Sequence, residues 1–405
     1  ALIGTWILSG TVPTLIYYGL QLLHPSFFYP AACLICAIVA LSIGSSWTVA
    51  GTLGVALMGV AQGLDMSPAI TAGAVISGAY FGDKMSPLSD TTNIAPAAAG
   101  SELFSHIRYM TYTTVPSIVI ALVLFTVIGL AGGGRGDGGE ALGDLPGVLQ
   151  ANFRIGWYLL IPMAVVFVLA TRRFPAYPTI LIGALLGALF AVVFQADAVV
   201  ALAGNEDLAR PMALLSGAWT ALFNGYSAET GNAAVDDLIS RGGMSSMLNT
   251  VWLVMCAMAF GAVMEKVGLL ERLIRSVLAA ARSTGSLIAA TLGTAIGANV
   301  VAADQYMSIV LTGRIFRPEY ERRGLAPENL SRSLEDAGTL TSPLIPWNTC
   351  GAYMAATLGV ATFDYLPYVF FNLLSPLVAV VIAYAGFRIL RITPQAEVVH
   401  KQPGH

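Results

Sequence analysis

The sequence predicts an all-α polytopic integral membrane protein made of two inverted-topology repeats. Each repeat is expected to hold a re-entrant hairpin and a broken (unwound) transmembrane helix. Three observations lead there. Of the 405 residues, 56% are hydrophobic and 11% charged, against about 25% charged in a soluble domain. Apolar stretches of roughly 17–25 residues, long enough to cross a bilayer as helix, recur along the chain. A polar stretch from Gly82 to Pro96 interrupts them and finds a counterpart from Glu335 to Thr349.

The repeat rests on spacing. Ser342-Pro343-Leu344 repeats Ser86-Pro87-Leu88 256 positions later. Ala295 to Val300 resembles Ser42 to Trp47 at a distance of 253, and Gly261 to Gly268 answers Gly4 to Gly10 at a similar one. Features in one order at nearly one spacing imply an internal repeat. The inversion rests on charge. Lys266, Arg272, Arg275 and Arg282 follow Gly261, whereas Tyr17 to Pro30 has no Lys or Arg. Arg314, Arg317, Arg322 and Arg323 have no basic counterpart between Met58 and Ser67. Basic residues mark the cytoplasmic side, so equivalent loops fall on opposite faces.

One path satisfies this rule. The first repeat covers 1–130. A segment runs outward to Leu23, and 28–63 dips in and returns as a hairpin with Gly44-Ser45-Ser46 at its tip. A span at 67–100 is broken between Asp83 and Asn93, Arg108 is inside, and 109–130 leads out. A Gly-rich, acidic linker occupies 131–152, outside the cytoplasm. The second repeat covers 153–391. It opens with spans near 155–171, ending at Arg172 and Arg173, and 176–195. A long polar loop then holds Glu206, Asp207, Glu229, Asp236 and Asp237. A span at 247–265 returns to Glu265 and Lys266 at the interface. Residues 265–282 read as a helix lying in the interface, with Leu269, Leu270, Leu273, Ile274, Val277 and Leu278 on one stripe. The second hairpin has its tip at Gly297-Ala298-Asn299. A second broken span and a last span to Arg388 and Arg391 complete the chain, and 392–405 is a cytoplasmic tail. The first repeat lacks counterparts of the spans at 155–171 and 176–195, so about two helices are expected upstream of Ala1.

Unwound backbone at membrane depth is tolerated where it lines a cavity. A break frees carbonyls for a cation, while half-helix N-termini attract anions. Asp90, Thr91, Thr92 and Asn93 offer three kinds of oxygen ligand within one turn. A carboxylate in low dielectric holds its proton more readily, and a cation beside it expels that proton. A site that takes either, open to each side in turn, is an antiporter. Lys84 would keep the unloaded site from carrying net negative charge. Pro346 stands opposite Asp90 in the repeat, which places the exchangeable proton on the first half, at Asp90 before Asp83.

Several of these residues have plain structural readings. Asp83 and Lys84 could form an ion pair, Asp304 could cap a helix, and Glu335 with Asp336 could only open the second broken span. His24 and His106 read as edge residues, Cys33 and Cys36 as buried thiols, and Trp347 as either packing or a gate. Nothing points to nucleic acid or a cofactor. A passive cation channel, or a hydrolase using Asp83 and Asp90 as a dyad, are the remote alternatives.

Ile76 to Pro96 closely resembles the NhaC family of bacterial Na⁺/H⁺ antiporters. So do Gly4 to Pro13, Ser240 to Leu248 and Ser342 to Thr349, and the resemblance covers essentially the whole chain. It implies the ion-transporter-type fold, Na⁺ and H⁺ as substrates, the bacterial inner membrane and, by analogy, a homodimer with an elevator-like transport domain. It also admits an exchanger of organic anions such as malate and lactate. The expected transport residues of the first half are Ser45, Ser46, Asp83, Lys84, Ser86, Ser89, Asp90, Thr91, Thr92 and Asn93. Those of the second are Asn299, Asp304, Asp336, Thr339, Ser342, Asn348 and Thr349. Asp90, Thr92, Asn93 and Asn299 are expected to hold Na⁺.

Overall fold

A computed structural model describes residues 1–132, 145–172, 174–205, 208–228, 236, 240 and 242–392. The expectations for linker residues 133–144, Arg173, Glu206, Asp207, Glu229, Asp237 and tail residues 393–405 lie outside them, as do the side chains of Glu265, Leu269, Leu270 and Leu273. The chain is helical throughout, and no strand occurs among the described residues beyond an isolated bridge between Leu325 and Arg391. Among the described residues, five helices are long and apolar enough to cross a membrane by length and composition: Pro25–Ile43, Leu103–Leu130, Tyr177–Phe194, Ser245–Met264 and Thr284–Ala302. Two bent pairs bring that number to as many as seven.

The first segment is two helices, α1 (Leu2–Leu8) and α2 (Thr11–Leu22), rather than one run. Gly10 takes φ 83° between them, and the Thr11 hydroxyl donates to the Leu159 carbonyl. The first hairpin follows: α3 (Phe28–Ile43), a turn at Gly44-Ser45, and α4, which runs from Ser46–Val49 through a π turn at Ala50–Gly54 into Val55–Gly63. Its arms are long enough that α3, with the preceding turn at Pro25, qualifies as a span. Next come α5 (Pro68–Met85) and α6 (Asp90–Ala99), separated by the break at 86–89, and α7 (Leu103–Leu130).

In the middle lie α8 (Leu145–Asn152), α9 (Ile161–Thr171) and α10 (Ala176–Phe194). The expected polar loop beyond them carries two further helices, α11 (Ala196–Ala203) and α12 (Arg210–Phe223). They fold on one another because Gly217 has no side chain: a Cβ there would stand 1.9 Å from the Val199 carbonyl oxygen. Then come α13 (Leu248–Lys266) and α14 (Leu269–Ala280).

The second hairpin is α15 (Thr284–Ala302) and α16 (Gln305–Arg322). Its turn sits at Ala303-Asp304, not at Gly297-Ala298-Asn299. Ala303 takes the left-handed conformation (φ 56°), and Asp304 caps α16 by accepting from the Met307 amide. Asn299 stays helical because its side chain is tied to Gly338 and Thr341. The second broken helix is α17 (Pro327–Leu334), a π turn at Glu335–Thr339, a 3₁₀ turn at Ser342–Leu344 and α18 (Thr349–Leu358). α19 (Thr362–Tyr365) and α20 (Phe370–Ala385) form a pair bent by 57°.

The halves repeat this series of elements. Pro68 opens α5 as Pro327 opens α17; Ser45 caps its hairpin arm as Asp304 does; α6 and α18 each run ten residues to a left-handed glycine, Gly100 and Gly359. All stand 259 positions apart, so Thr349, not Pro346, matches Asp90. The sequence matches at 253 and 256 are therefore local resemblances, six and three positions out of the structural register.

The basic ends meet. The Ala326 amide donates to the Leu390 carbonyl, Arg323 donates to the Ala281 and Ser283 carbonyls, and Gly100 lies against the Arg317 guanidinium. The segments carrying Arg282, Arg314–Arg323 and Arg388–Arg391 therefore share one end of the molecule. There Glu319 receives hydrogen bonds from Arg322 and Arg323, which, Arg322 foremost, hold its carboxyl down to about 2.

Candidate transport site

Position of the site follows from how α5 is held. Gly78 and Gly82 let α5 lie directly on α3, since Cβ atoms there would meet the Cys33 and Ala37 carbonyl oxygens at 2.0 and 2.3 Å. Cys33 and Cys36 are buried free thiols in this contact. The close approach puts the last turn of α5 beside the first hairpin tip. There the Asp83 carboxylate accepts from the Ser46 amide (3.0 Å) and hydroxyl (2.6 Å). An acidic group at a helix N-terminus is favoured by the exposed amides and the helix dipole. Ser45 caps the same helix by accepting from the Thr48 amide. Asp83 is thus bound to the hairpin rather than to its neighbour Lys84.

The second tip is fixed in a parallel way. The Thr349 amide donates to the Ala303 carbonyl (2.9 Å), and its hydroxyl donates to Asp304 (3.4 Å). The hairpins also reach across to the opposite half-helices. Trp47 stacks on Tyr353 of α18 at 4.2 Å and 7°, and Tyr353 donates to the Trp47 carbonyl. From the second hairpin, the Tyr306 hydroxyl reaches Asp90 at 3.5 Å.

These four elements enclose a cavity of about 620 Å³. Both tips line it, through Ser45, Ser46 and Asp304, and so do both half-helix starts, through Asp90, Thr91 and Thr349. Asp83 and Ser89 complete its polar wall, and Ile180, Val254 and Met258 contribute an apolar one. A neighbouring cavity of about 390 Å³ shares Gly44, Ser45 and Asp90 and extends to Phe174 and Pro175. Among the described residues, three carboxylates and no Lys or Arg face the larger cavity. That arrangement attracts a cation. Asp83 and Asp90 share this space, yet no hydrogen bond joins them as a dyad would require.

The expected Na⁺ set is not brought together. The Thr92 hydroxyl donates to the Asp83 and Lys84 carbonyls, and the Asn93 amide to the Pro87 and Ser89 carbonyls. Asn299 binds the backbone of the π turn and receives Asn348, whose carbonyl oxygen caps α18. Ser342 donates to the Thr339 carbonyl and to Gln305, while Ser86 accepts from the Leu88 amide. These side chains hold the unwound segments in shape. Trp347 donates to the Val300 carbonyl, which makes it a strut.

Lys84 and Asp336 form a separate group beneath the cavity. Both are fully buried and paired with each other across the two halves. The Asp336 oxygen that takes the lysine also accepts from Thr113 (2.9 Å) and Ser375 (3.0 Å). Arg332 stands 3.7 Å from its other oxygen and 4.6 Å above the Tyr109 ring. Glu335 is fully buried beside them. His106 is buried too, with Nδ1 at 2.8 Å from the Ser331 hydroxyl.

Sequence reasoning missed Tyr306, Trp47, Arg332, Thr113 and Ser375. Arg332 left a signal, four residues before Asp336 on a helix. Thr113 and Ser375 left none, being single hydroxyls in apolar runs.

The sequence is similar to those of known antiporters. The Na⁺/H⁺ antiporter family model matches residues 78–387. The chain is 45% identical to the Na(+)/H(+) antiporter NhaC of Alkalihalophilus pseudofirmus, over 95% of this chain and 79% of that protein. It is 39% identical to the malate-2H(+)/Na(+)-lactate antiporter of Bacillus subtilis, over 95% and 79%. It is 38% identical to the arginine/ornithine antiporter ArcD of Halobacterium salinarum, over 97% and 78%.

Proposed function

We propose that this chain, which belongs to the Na⁺/H⁺ antiporter family and is a multi-pass membrane transporter, exchanges Na⁺ for H⁺ and that Asp90 is the carboxylate that takes either ion. The observation that carries this is the cavity between the two tips and the two half-helices, faced by Asp83, Asp90 and Asp304 without a basic partner. Asp83 and Asp304 are engaged as helix caps, each bonded to a neighbouring element. Asp90 is exposed at the start of α6, and among the described residues its carboxylate is hydrogen-bonded by the Tyr306 hydroxyl alone, at 3.5 Å, so it is the carboxylate least committed to the fold.

The exchange follows from that. With Asp90 ionised, the cavity presents an uncommitted carboxylate beside the capping Asp83 and Asp304 and draws in Na⁺. A proton on Asp90 cancels one charge and releases the ion. The elements that carry the site, two hairpins and two half-helices, present it to one side of the membrane and then the other as they move against their surroundings. The host is the bacterial cytoplasmic membrane with the C-terminus inside, a reading supported by the basic residues gathered at one end. The repeat boundaries at 130 and 153 and a dimeric assembly belong to the same reading.

The malate-2H(+)/Na(+)-lactate antiporter among the relatives speaks for coupled exchange of an organic anion. An anion in this cavity would face three carboxylates, which favours the cation. Full-length protein in proteoliposomes, loaded with Na⁺ and titrated with Li⁺, K⁺, malate or lactate, separates the two. Na⁺-driven proton flux that vanishes in Asp90→Asn, and that malate leaves unchanged, is the expected result. Normal flux in folded Asp90→Asn would overturn the assignment of Asp90.

A further inference from the structure

We propose that Glu335 carries a second transported proton, on a carboxyl outside the Na⁺-attracting cavity and coupled to it through the wall formed by Thr91 and Asp83. The proposal rests on Na⁺/H⁺ exchange at Asp90 and adds a separate proton to it.

Four ionisable groups are fully buried together: Lys84, Arg332, Glu335 and Asp336. Their ordinary charges sum to zero, which makes the cluster tolerable at membrane depth only as a set. Lys84 and Asp336 are tied by hydrogen bonds, and Arg332, whose guanidinium makes none among the described residues, keeps its charge because a guanidinium does not deprotonate in a protein. Lys84 donates to Asp336 and to Ser375, Asp336 accepts from Lys84, Thr113 and Ser375, and Arg332 lies over Tyr109 beside Asp336. Glu335 differs. Neither of its carboxylate oxygens has a hydrogen-bond partner. An ionised carboxylate buried without hydrogen bonds is costly, and a protonated one far less so. Of the four, Glu335 is the group whose protonation the fold leaves free to change.

Its surroundings give that change a direction. The charged groups acting on it are Lys84 and Asp83 of α5, with Asp336 and Arg332 on its own segment; Thr91 of α6 and Thr339 turn hydroxyls toward it without closing a hydrogen bond. Thr91 and Asp83 also line the cavity. A cation in the cavity therefore lies one side chain away, and its field favours ionised Glu335. Departure of the cation favours the proton. The two loads oppose one another, as antiport requires.

A buried polar row leads to Glu335 along α17 from the basic end of the molecule. Asn329 binds Tyr109 and the Leu390 backbone, Ser331 binds His106, and Arg332 follows. None of these residues lines the cavity, so the row offers the proton a route apart from the path of Na⁺.

The test compares wild type, Glu335→Gln and Glu335→Asp in proteoliposomes of the full-length protein. ²²Na⁺/Na⁺ counterflow reads Na⁺ binding and folding. The H⁺/Na⁺ ratio and the pH profile of Na⁺-driven proton flux read coupling. The expected result is counterflow within twofold of wild type in Glu335→Gln, a ratio lower by one proton, and a displaced pH midpoint in Glu335→Asp. An unchanged ratio and pH profile in Glu335→Gln would overturn the proposal while leaving Asp90 in place. Loss of counterflow in Glu335→Gln with a wild-type profile in Glu335→Asp would make Glu335 a packing residue. Wild-type protein with no Na⁺-driven proton flux would instead defeat the exchange reading itself.

Discussion

Lys84 and Asp336 form a fully buried ion pair that joins the break of the first half to the π turn of the second. Each sits one residue from a carboxylate of different standing, Asp83 at the cavity wall and Glu335 behind it. The pair is therefore the seam between the two halves directly under the transport site.

Removing one member of this pair leaves a buried charge without its counter-ion. Lys84→Met or Asp336→Asn alone should cost about 3–5 kcal/mol. The double variant should recover part of that loss, because the net charge of the cluster is restored, and only part, because Arg332 loses Asp336 as its neighbour. Urea or SDS unfolding of the purified protein measures this cycle. Additive losses would show that the two side chains do not depend on each other.

Asp83 does its structural work at the Ser46 amide and hydroxyl. Asp83→Ala removes a charged acceptor from two donors, a loss of about 1.5–3 kcal/mol for a hydrogen bond to a charged group. Asp83→Asn keeps one acceptor oxygen and should lose less. Amide hydrogen exchange at Ser46 and Thr48 in the two variants reports whether the tip has come loose, and equal protection in both would count against the cap.

Gly82→Ala places a methyl 2.3 Å from the Ala37 carbonyl oxygen. Backbone must move to admit it, at about 1–3 kcal/mol for overpacking. Because α5 carries Asp83, transport should fall along with stability. Gly297→Ala meets nothing within 4 Å and should keep wild-type stability and flux in the same assays.

At the basic end, the Glu319 carboxyl is held down to about 2 from an ordinary 4.5 by Arg322 and Arg323. A depressed folded-state pKa contributes stability above the unfolded value, lost as pH falls through the folded one. Glu319→Gln should thus be less stable than wild type at pH 7, with the gap closing from about pH 4.5 to about 2. Thermal unfolding across that range checks the sign.

Much of the fold was legible from residue order. The break between Asp83 and Asn93 and the first tip at Gly44-Ser45 stand where the sequence puts them, while the helix expected over 265–282 begins only at Leu269, after the left-handed Gly268. Each is a local event, set by a glycine, a proline or a cap. The second tip was misplaced because Gly297 resembles Gly44 in sequence, while the turn came from Ala303 and the Asp304 cap. The polar stretch beyond α10 hid two short helices, whose mutual packing depends on a glycine meeting a distant carbonyl.

At the site, the sequence identified Asp83, Asp90 and Asp304 as exceptional, since a carboxylate in an apolar chain needs a reason. It ranked Asp90 before Asp83, but through a repeat register the structure corrects, and it could not see that Asp83, which also faces the cavity, is bound to the Ser46 amide and hydroxyl. The sequence by itself determined the membrane class, which follows from composition, and the family, which follows from the resemblance of Ile76 to Pro96 and its companion motifs. The tertiary structure alone decided that Lys84 meets Asp336, that Tyr306 reaches Asp90, and that Glu335 is left without a partner. Those are contacts between elements remote in the chain, and burial and hydrogen bonding are settled only where such elements meet.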